Sequence, residues 1–281
     1  MNHRHLKNSL FKYSCVLIVI FSITILGILI GQIIHQGHYW VNADFLKNFP
    51  SRLPSRAGVK AGLYGTLWLL GLTALFAIPI GIFSAVALEE YMRESKIKKW
   101  LQINISNLAG LPSIVYGLLG LSVFVRGLGM GRSLWAGSLT MALLVLPVIV
   151  IAAQESIRAV PKTLREAAYA LGARKWQVVF MQVLPASVPG IMTGVILALS
   201  RVAGESAPLI VIGALTFVNF VPQGPSDSFS ALPIQIFNWS SRPQEDFHGL
   251  AAGAIIVLLG ILFSLNLIAV FIRERFQRYR P

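Results

Sequence analysis

Six long apolar runs are the feature of this sequence that most restricts its fold. Each is close to the roughly 20 residues that a helix needs to cross the hydrocarbon core of a bilayer. They are too continuously apolar for the strands of a membrane barrel. The runs are Tyr13–Ile34, Gly62–Leu88, Ser106–Val125, Ser133–Ala153, Val188–Val218 and Gly249–Ile272. We therefore predict an all-α, polytopic membrane protein with six transmembrane helices.

The composition excludes several other classes of protein. Charged residues make up 12% of the chain, about half of the roughly 25% that soluble proteins carry. The net charge is nevertheless +13. A soluble nucleic-acid-binding protein concentrates its basic residues on a polar face, and this chain has too little polar surface to form one. Cys15 is the one cysteine, so an intrachain disulfide is impossible.

The first run could instead be a secretion signal. Its apolar stretch is longer than the usual 7–15 or so residues, and no small-x-small cleavage site follows it. We therefore interpret Tyr13–Ile34 as a retained anchor. The predicted organisation is an N-terminal segment with the first helix and an outer loop (1–60), a main membrane domain (61–276) and a short tail (277–281).

The distribution of basic residues predicts the orientation. With both termini on the inner side, the inner segments hold 16 Lys and Arg residues and the outer segments hold 7. The positive-inside rule therefore favours cytoplasmic N- and C-termini in a multi-pass protein of the plasma (inner) membrane. The first outer loop carries four of the seven and is the part that fits least well.

Arg201 and Glu205 interrupt the fifth apolar run. Their i, i+4 spacing places both on one face of a helix. A charge at membrane depth is tolerated when it faces a bundle interior or water, and Gly204 and Pro208 could end the helix nearby. One reading is a structural ion pair; the other is the wall of a polar pathway, because a guanidinium suits phosphate-like oxyanions. We predict that Arg201 and Glu205 line a substrate pathway.

The segment 154–185 between the fourth and fifth runs predicts two short helices. Pro161 suits a helix start, and Gly172 suits the left-handed residue after a helix end. The predicted helices are Lys162–Leu171 and Arg174–Leu184, the second ending at Pro185. The simplest alternative is a basic interfacial loop attracted to anionic lipid.

This segment resembles the EAA loop of ABC-importer permeases, the element that docks on the cytoplasmic ATPase in that family. The matching residues are Glu166, Ala167, Ala168, Gly172, Leu184 and Pro185. Gln182 stands where the family usually has Ile. The resemblance implies the type I (MetI-like) permease fold and an ATPase-coupling role for these six residues.

Further motifs are similar to those of the phosphate-importer permeases within that family. They lie, in the family's order, at Leu111–Leu118, Ala198–Leu209 and Leu232–His248. The resemblance implies a subunit of a high-affinity inorganic phosphate importer, with Arg201 and Glu205 on the path of the anion. It also implies a second permease (PstC-like), an ATPase dimer (PstB-like) that uses ATP and Mg, and an extracytoplasmic phosphate-binding protein (PstS-like).

Other functions remain as alternatives. The substrate could be another oxyanion, such as phosphonate, sulfate or molybdate, or the chain could be an ATP-independent carrier or channel. It could also sense phosphate status through cytoplasmic partners. The sequence carries no catalytic constellation and no nucleotide-binding loop, and the His35–His38 pair alone does not make a metal site. We therefore predict no enzyme activity, cofactor or metal for this chain itself. The sequence leaves open whether the second permease is a copy or a homologue.

Overall fold

The computed structural model describes residues 2–277, and this part of the chain is built from helices. Five of them are long and apolar enough to cross a membrane, and a sharply bent pair supplies a sixth candidate span. The predicted all-α membrane architecture is therefore confirmed. Of the predicted tail (277–281), Gln277 is the last residue of the final helix, and 278–281 lie outside the described residues. The division of the chain into 1–60, 61–276 and 277–281 remains a prediction.

Most helices follow one another with short connections, and a long segment, 213–231, joins the tenth α-helix to the eleventh. The α-helices are α1 Asn2–Gly37, α2 Ala43–Lys47, α3 Lys60–Val86, α4 Lys96–Ala109, α5 Ser113–Gly120, α6 Leu134–Arg158, α7 Lys162–Ala170, α8 Lys175–Val178, α9 Leu184–Gly204, α10 Ala207–Ile212, α11 Leu232–Ser240 and α12 Glu245–Gln277. Three π-helical segments extend them: Ala87–Tyr91 after α3, Leu121–Gly127 after α5 and Val179–Val183 between α8 and α9. We call the end of the bundle at α7 the loop end, and the end at α2 and α11 the far end.

The fourth span, α6, is the centre of the bundle. It packs against α3 on one side and α9 on the other, and 67% of its most apolar stretch is buried. Glycines make these contacts close. A Cβ on Gly81 would lie 2.6 Å from Cγ2 of Ile149, and one on Gly194 would collide with the Ala152 side chain. Small residues at helix crossings are the usual means of tight packing in membranes, where lipid supplies no hydrophobic drive.

The first and last spans lie at the edge of the bundle. α12 packs against α9 and α11, and α1 packs against α12. None of the most apolar stretch of α1 is buried within the chain. An apolar helix without a polar face is what lipid surroundings stabilise, so α1 fits the predicted membrane anchor.

The third run does not form the one continuous helix predicted at Ser106–Val125. The chain bends by 101° between Lys96–Ala109 and Ser113–Gly127. The bend lies at Gly110–Pro112, because proline lacks an N–H and disfavours the helical conformation of the residue before it. The predicted run thus covers the end of α4 and most of α5 with its π-helical extension, and α4 and α5 are separate helices.

The predicted end of a loop helix at Pro185 was also wrong. Helix continues from Lys175 to Gly204, so α8, the π-helical turn and α9 form one element. Pro185 lies two residues after the π-helical turn Val179–Val183. In a π turn the hydrogen bonds already skip a residue, so the missing N–H of the proline is accommodated there. The fifth span thus begins earlier than the predicted Val188.

The fifth span also ends earlier than the predicted Val218. α9 stops at Gly204, and α10 follows as a separate short helix whose first turn contains Pro208. After α10 the backbone turns at Gly213, where φ is +85°. The chain then runs back along the far end, where the amide of Leu232 donates to Oγ1 of Thr66 over 2.9 Å.

Candidate functional site

Arg201 and Glu205 lie on either side of the end of α9. Gly204 is the last helical residue, and the backbone of Glu205 is extended, with φ −80° and ψ 125°. The Arg201 Nε lies 3.4 Å from the Glu205 Oε1. The predicted proximity of the two charges is confirmed, as is the predicted helix end beside Gly204. Glu205 itself, however, is the residue after the helix rather than part of it.

The guanidinium of Arg201 keeps most of its hydrogen-bonding capacity. Arginine has five N–H donors, and its Nε donates to Glu205. Its terminal nitrogens make no hydrogen bond within the part of the chain that the structure describes. The side chain is 38% exposed and that of Glu205 is 20% exposed. Arg201 is thus a cation that Glu205 partly neutralises and that still has free N–H donors. Such a group can bind an anion.

The helix break that carries this pair packs against the third-span motif. A Cβ on Gly117 would lie 2.8 Å from Cα of Pro208, so only glycine permits this close approach of α5 and α10. Tyr116, beside Gly117, lies within electrostatic reach of Arg201. Its hydroxyl donates to the carbonyl of Leu108 over 2.7 Å. Two motifs that are about 90 residues apart in the chain therefore form one structural unit.

The predicted coupling loop forms a helical elbow at the loop end. α7 spans Lys162–Ala170, and Gly172 has φ +83°, so the predicted first helix and its left-handed glycine are confirmed. Glu166, Ala167, Gly172 and Pro185 are exposed, whereas Ala168 and Leu184 are half-buried.

A shallow groove of about 420 Å³ lies beside this elbow. Leu171, at its edge, is 89% exposed. The groove is lined by Leu164, Ala167, Ala168, Leu171, Gly172, Ala173, Gln177, Val178, Met181 and Gln182. Three of the six predicted loop residues, Ala167, Ala168 and Gly172, thus line an open surface, and its largely apolar lining suits contact with a protein.

An ion pair that sequence reasoning missed ties α7 to the bundle. Nη2 of Arg165 lies 2.8 Å from Oε1 of Glu90, with side-chain exposures of 19% and 11%. The same guanidinium donates to the carbonyls of Val160 and Ile157 over 2.7 and 2.9 Å. A half-buried arginine with this many partners fixes the position of the helix that carries it.

A second pair joins α6 to α3 at the same level. Arg158 binds Glu89 through two nitrogens, at 2.7 and 2.9 Å, and the Gln154 amide donates to Glu89 over 2.8 Å. Nearby, the Lys175 ammonium lies 5.1 Å from the centre of the Tyr91 ring. The available signal in the sequence was Glu89–Glu90 itself, two adjacent acids at the end of an apolar run in a chain with 11 acidic residues.

Comparison with known proteins shows which family has this sequence and this fold. Residues 77–278 match the family model described as "Binding-protein-dependent transport system inner membrane component". "Phosphate transport system permease protein PstA 1" of Mycobacterium tuberculosis is 38% identical over 218 residues, which are 77% of this chain and 70% of the relative. PstA of Pasteurella multocida is 32% identical over 271 residues, 95% and 94% of the two chains. "Probable ABC transporter permease protein YqgI" of Bacillus subtilis is 33% identical over 260 residues, 86% and 88%.

Solved structures show the same fold. A chain of the MetNI methionine ABC transporter matches with a TM-score of 0.65 at 17% identity, over 76% of this chain and 94% of that one. A chain of a bacterial alginate ABC transporter matches with a TM-score of 0.67 at 17% identity, over 97% and 96%. The predicted type I permease fold is confirmed. The protein belongs to the binding-protein-dependent transport system inner membrane components, the family that includes the PstA permeases.

Proposed function

We propose that this chain is the PstA-type permease subunit of an ATP-driven, high-affinity importer of inorganic phosphate. The observation that carries the proposal is Arg201 at the broken end of α9, with its terminal nitrogens free of hydrogen bonds in the described part of the chain. The relatives named for phosphate transport, at 32–38% identity, support phosphate as the substrate. Affinity for phosphate would be a property of the separate binding protein.

Arg201 and Glu205 would act together on the passing anion. The planar guanidinium offers paired N–H donors that match two oxygens of a phosphate. Glu205, 3.4 Å from Nε, holds the guanidinium in one orientation and competes with the anion for it. Such competition keeps the interaction weak enough for release, as a conducting site requires.

The groove beside α7 would be the ATPase contact. Ala167 and Gly172 line it and are exposed, and Arg165 connects α7 to α3 through Glu90. ATPase closure against the groove would therefore move the inner ends of α3 and α6 together with α7. ATP and Mg would be bound by the partner ATPase, a PstB-like dimer.

The complete importer would include two further proteins. A single bundle offers one charged face, so a second permease (PstC-like) would supply the opposite wall of the pathway. A PstS-like binding protein would deliver phosphate at the far end. The loop end, where the basic residues concentrate, would face the cytoplasm, and both termini would lie on that side.

The decisive experiment is phosphate uptake by sealed proteoliposomes. The vesicles would contain this chain, the second permease and the ATPase, with binding protein outside and ATP inside. We expect uptake of labelled phosphate that requires ATP, is not competed by excess sulfate and is lost with Arg201→Ala while the complex stays assembled. Competition by sulfate would indicate a broader oxyanion importer. Uptake without ATP would indicate a carrier or channel and would overturn the coupling role of α7.

A further inference from the structure

α4 is a helix on the bundle surface that joins two membrane-crossing elements. It follows the π-helical end of α3 at Tyr91 and precedes α5, which begins at Ser113. Its axis is bent by 101° from that of α5 and its extension. A helix at about a right angle to a membrane-crossing α5 would run in the plane of the headgroups, here at the loop end.

One side of α4 is fixed to the protein. Lys98 is 4% exposed, and its ammonium lies 2.6 Å from the Glu94 carboxylate. Leu101 and Ile105 pack against the main core. The positions follow the three- and four-residue spacing of one helix face, so the orientation of α4 about its own axis is set.

The apolar side chains that remain exposed on α4 form a second face. Ile97 is 67% exposed, Trp100 62% and Leu108 41%. At about 100° per residue, these three side chains fall within an arc of about 80°. Ile103, also 50% exposed, lies outside the arc, towards the lysines. Tryptophan is enriched where membranes meet water, because its ring is apolar and its N–H is polar.

Positive charge accompanies this apolar face. Arg93, Lys96 and Lys99 are exposed and make no ion pair within the described residues. The one acid among them, Glu94, is already bound by Lys98, and that hydrogen bond lowers the pKa of Glu94. Three uncompensated cations beside an exposed tryptophan match an anionic membrane surface, which attracts basic residues next to the membrane.

We propose that α4 is a binding site for anionic lipid, with Ile97, Trp100 and Leu108 in the upper acyl region and Arg93, Lys96 and Lys99 on the headgroups. The inference does not depend on which substrate the importer carries. Its consequence concerns the position of α5. α4 leads directly into α5, and α5 carries Gly117, the contact point for the helix break at Pro208.

The proposal is tested by fluorescence quenching in the assembled importer. The emission of Trp100 is obtained as the difference between the wild type and Trp100→Phe. Vesicles contain brominated phosphatidylglycerol or brominated phosphatidylcholine at equal mole fraction. We expect quenching by both lipids, with about twofold greater quenching by the anionic one because the three cations enrich it locally. In the triple variant R93Q/K96Q/K99Q the two lipids should quench equally.

A matched variant controls for net charge. K47Q/R52Q/R56Q removes the same three charges from exposed residues of the far end and should leave the Trp100 signal unchanged. No quenching by either lipid would mean that protein covers this face and would overturn the proposal. Equal quenching of the wild type by the two lipids, or a preference that survives in R93Q/K96Q/K99Q, would refute a role for the anionic headgroup.

Discussion

Arg165 in α7 and Glu90 at the end of α3 form an ion pair across 75 positions of sequence, with 2.8 Å between Nη2 and Oε1. The guanidinium also binds the carbonyl of Val160, just after α6, and that of Ile157, within α6. One side chain thus joins α7 to the ends of two spans. A rigid link of this kind is what a surface helix needs in order to move the membrane helices behind it.

Replacing Arg165 by lysine should therefore uncouple transport from ATP hydrolysis. Lysine keeps the charge but lacks the fork that reaches the carboxylate and two carbonyls at once. We expect ATP-driven uptake to fall by at least about tenfold, with a lower Tm, since a buried carbonyl that loses its hydrogen-bond donor costs about 1–3 kcal/mol. Hydrolysis by the assembled complex should persist. Lys162→Arg, an exposed change on the same helix, should leave uptake and Tm unaltered. Normal uptake in Arg165→Lys would contradict the link.

Gly172→Ala should destabilise the elbow at the end of α7 only through the backbone conformation at this residue, without a steric clash. Gly172 has φ +83°, and an added Cβ would meet nothing within 4 Å. The cost is the left-handed conformation, about 1–2 kcal/mol for an ordinary residue. We expect reduced retention of the ATPase in a pull-down with the alanine variant. Gly172→Asn should retain more, because asparagine tolerates this conformation. If the alanine and asparagine variants retain the ATPase equally, the elbow does not need the left-handed conformation at residue 172.

The sequence predicted the membrane class and the first loop helix because hydropathy, Gly172 and the proline positions are local signals. It did not predict the bend at Gly110–Pro112. The apolar residues Leu108, Leu111 and Ile114 make the apolar run continuous across it, and only the structure shows that the helix axis turns by 101° there. The prediction that a helix ends at Pro185 was wrong for the opposite reason. The π-helical turn before Pro185 accommodates its missing hydrogen bond, so the helix continues.

The sequence predicted one part of the candidate site, the Arg201–Glu205 pair, but not the ion pairs at the loop end. Arg201 and Glu205 stood out because a charge in an apolar run is costly, and their spacing gave their proximity. Glu89, Glu90 and Arg165 did not stand out, because charges at the end of a span are ordinary. Their pairing depends on how α3, α6 and α7 converge, which is a tertiary fact that no local pattern contains.

Gly65→Ala should destabilise the far end of the bundle. A Cβ at Gly65 would collide with the backbone carbonyl of Ser230, beside the hydrogen bond from Leu232 to Thr66. Overpacking of this kind costs about 1–3 kcal/mol, and we expect a lower Tm of the detergent-solubilised protein. Gly71→Ala is the matched control in the same helix, since its Cβ would meet nothing within 4 Å. It should be neutral or slightly stabilising. Equal Tm values for the two variants would contradict the close contact.

Glu205→Gln distinguishes a pathway role from a structural one. The amide keeps the shape of the side chain but removes the charge that competes for Arg201, so a bound anion should leave more slowly. We expect the phosphate uptake rate to fall severalfold, with unchanged abundance and assembly, because the pair is partly exposed, at 38% and 20%, and contributes little to folding.

Arg201→Lys completes this test. A lysine at this position keeps the positive charge but loses the planar fork, so uptake should fall while the protein level is maintained. Arg126→Lys, at an exposed arginine in the π-helical end of the third span, should be without effect. If Glu205→Gln and Arg201→Lys instead reduce abundance and uptake in the same proportion, the pair is a structural clamp across the end of α9. The anion path must then be lined by other groups, because a clamp that fails lowers the amount of folded protein and not the rate of each copy.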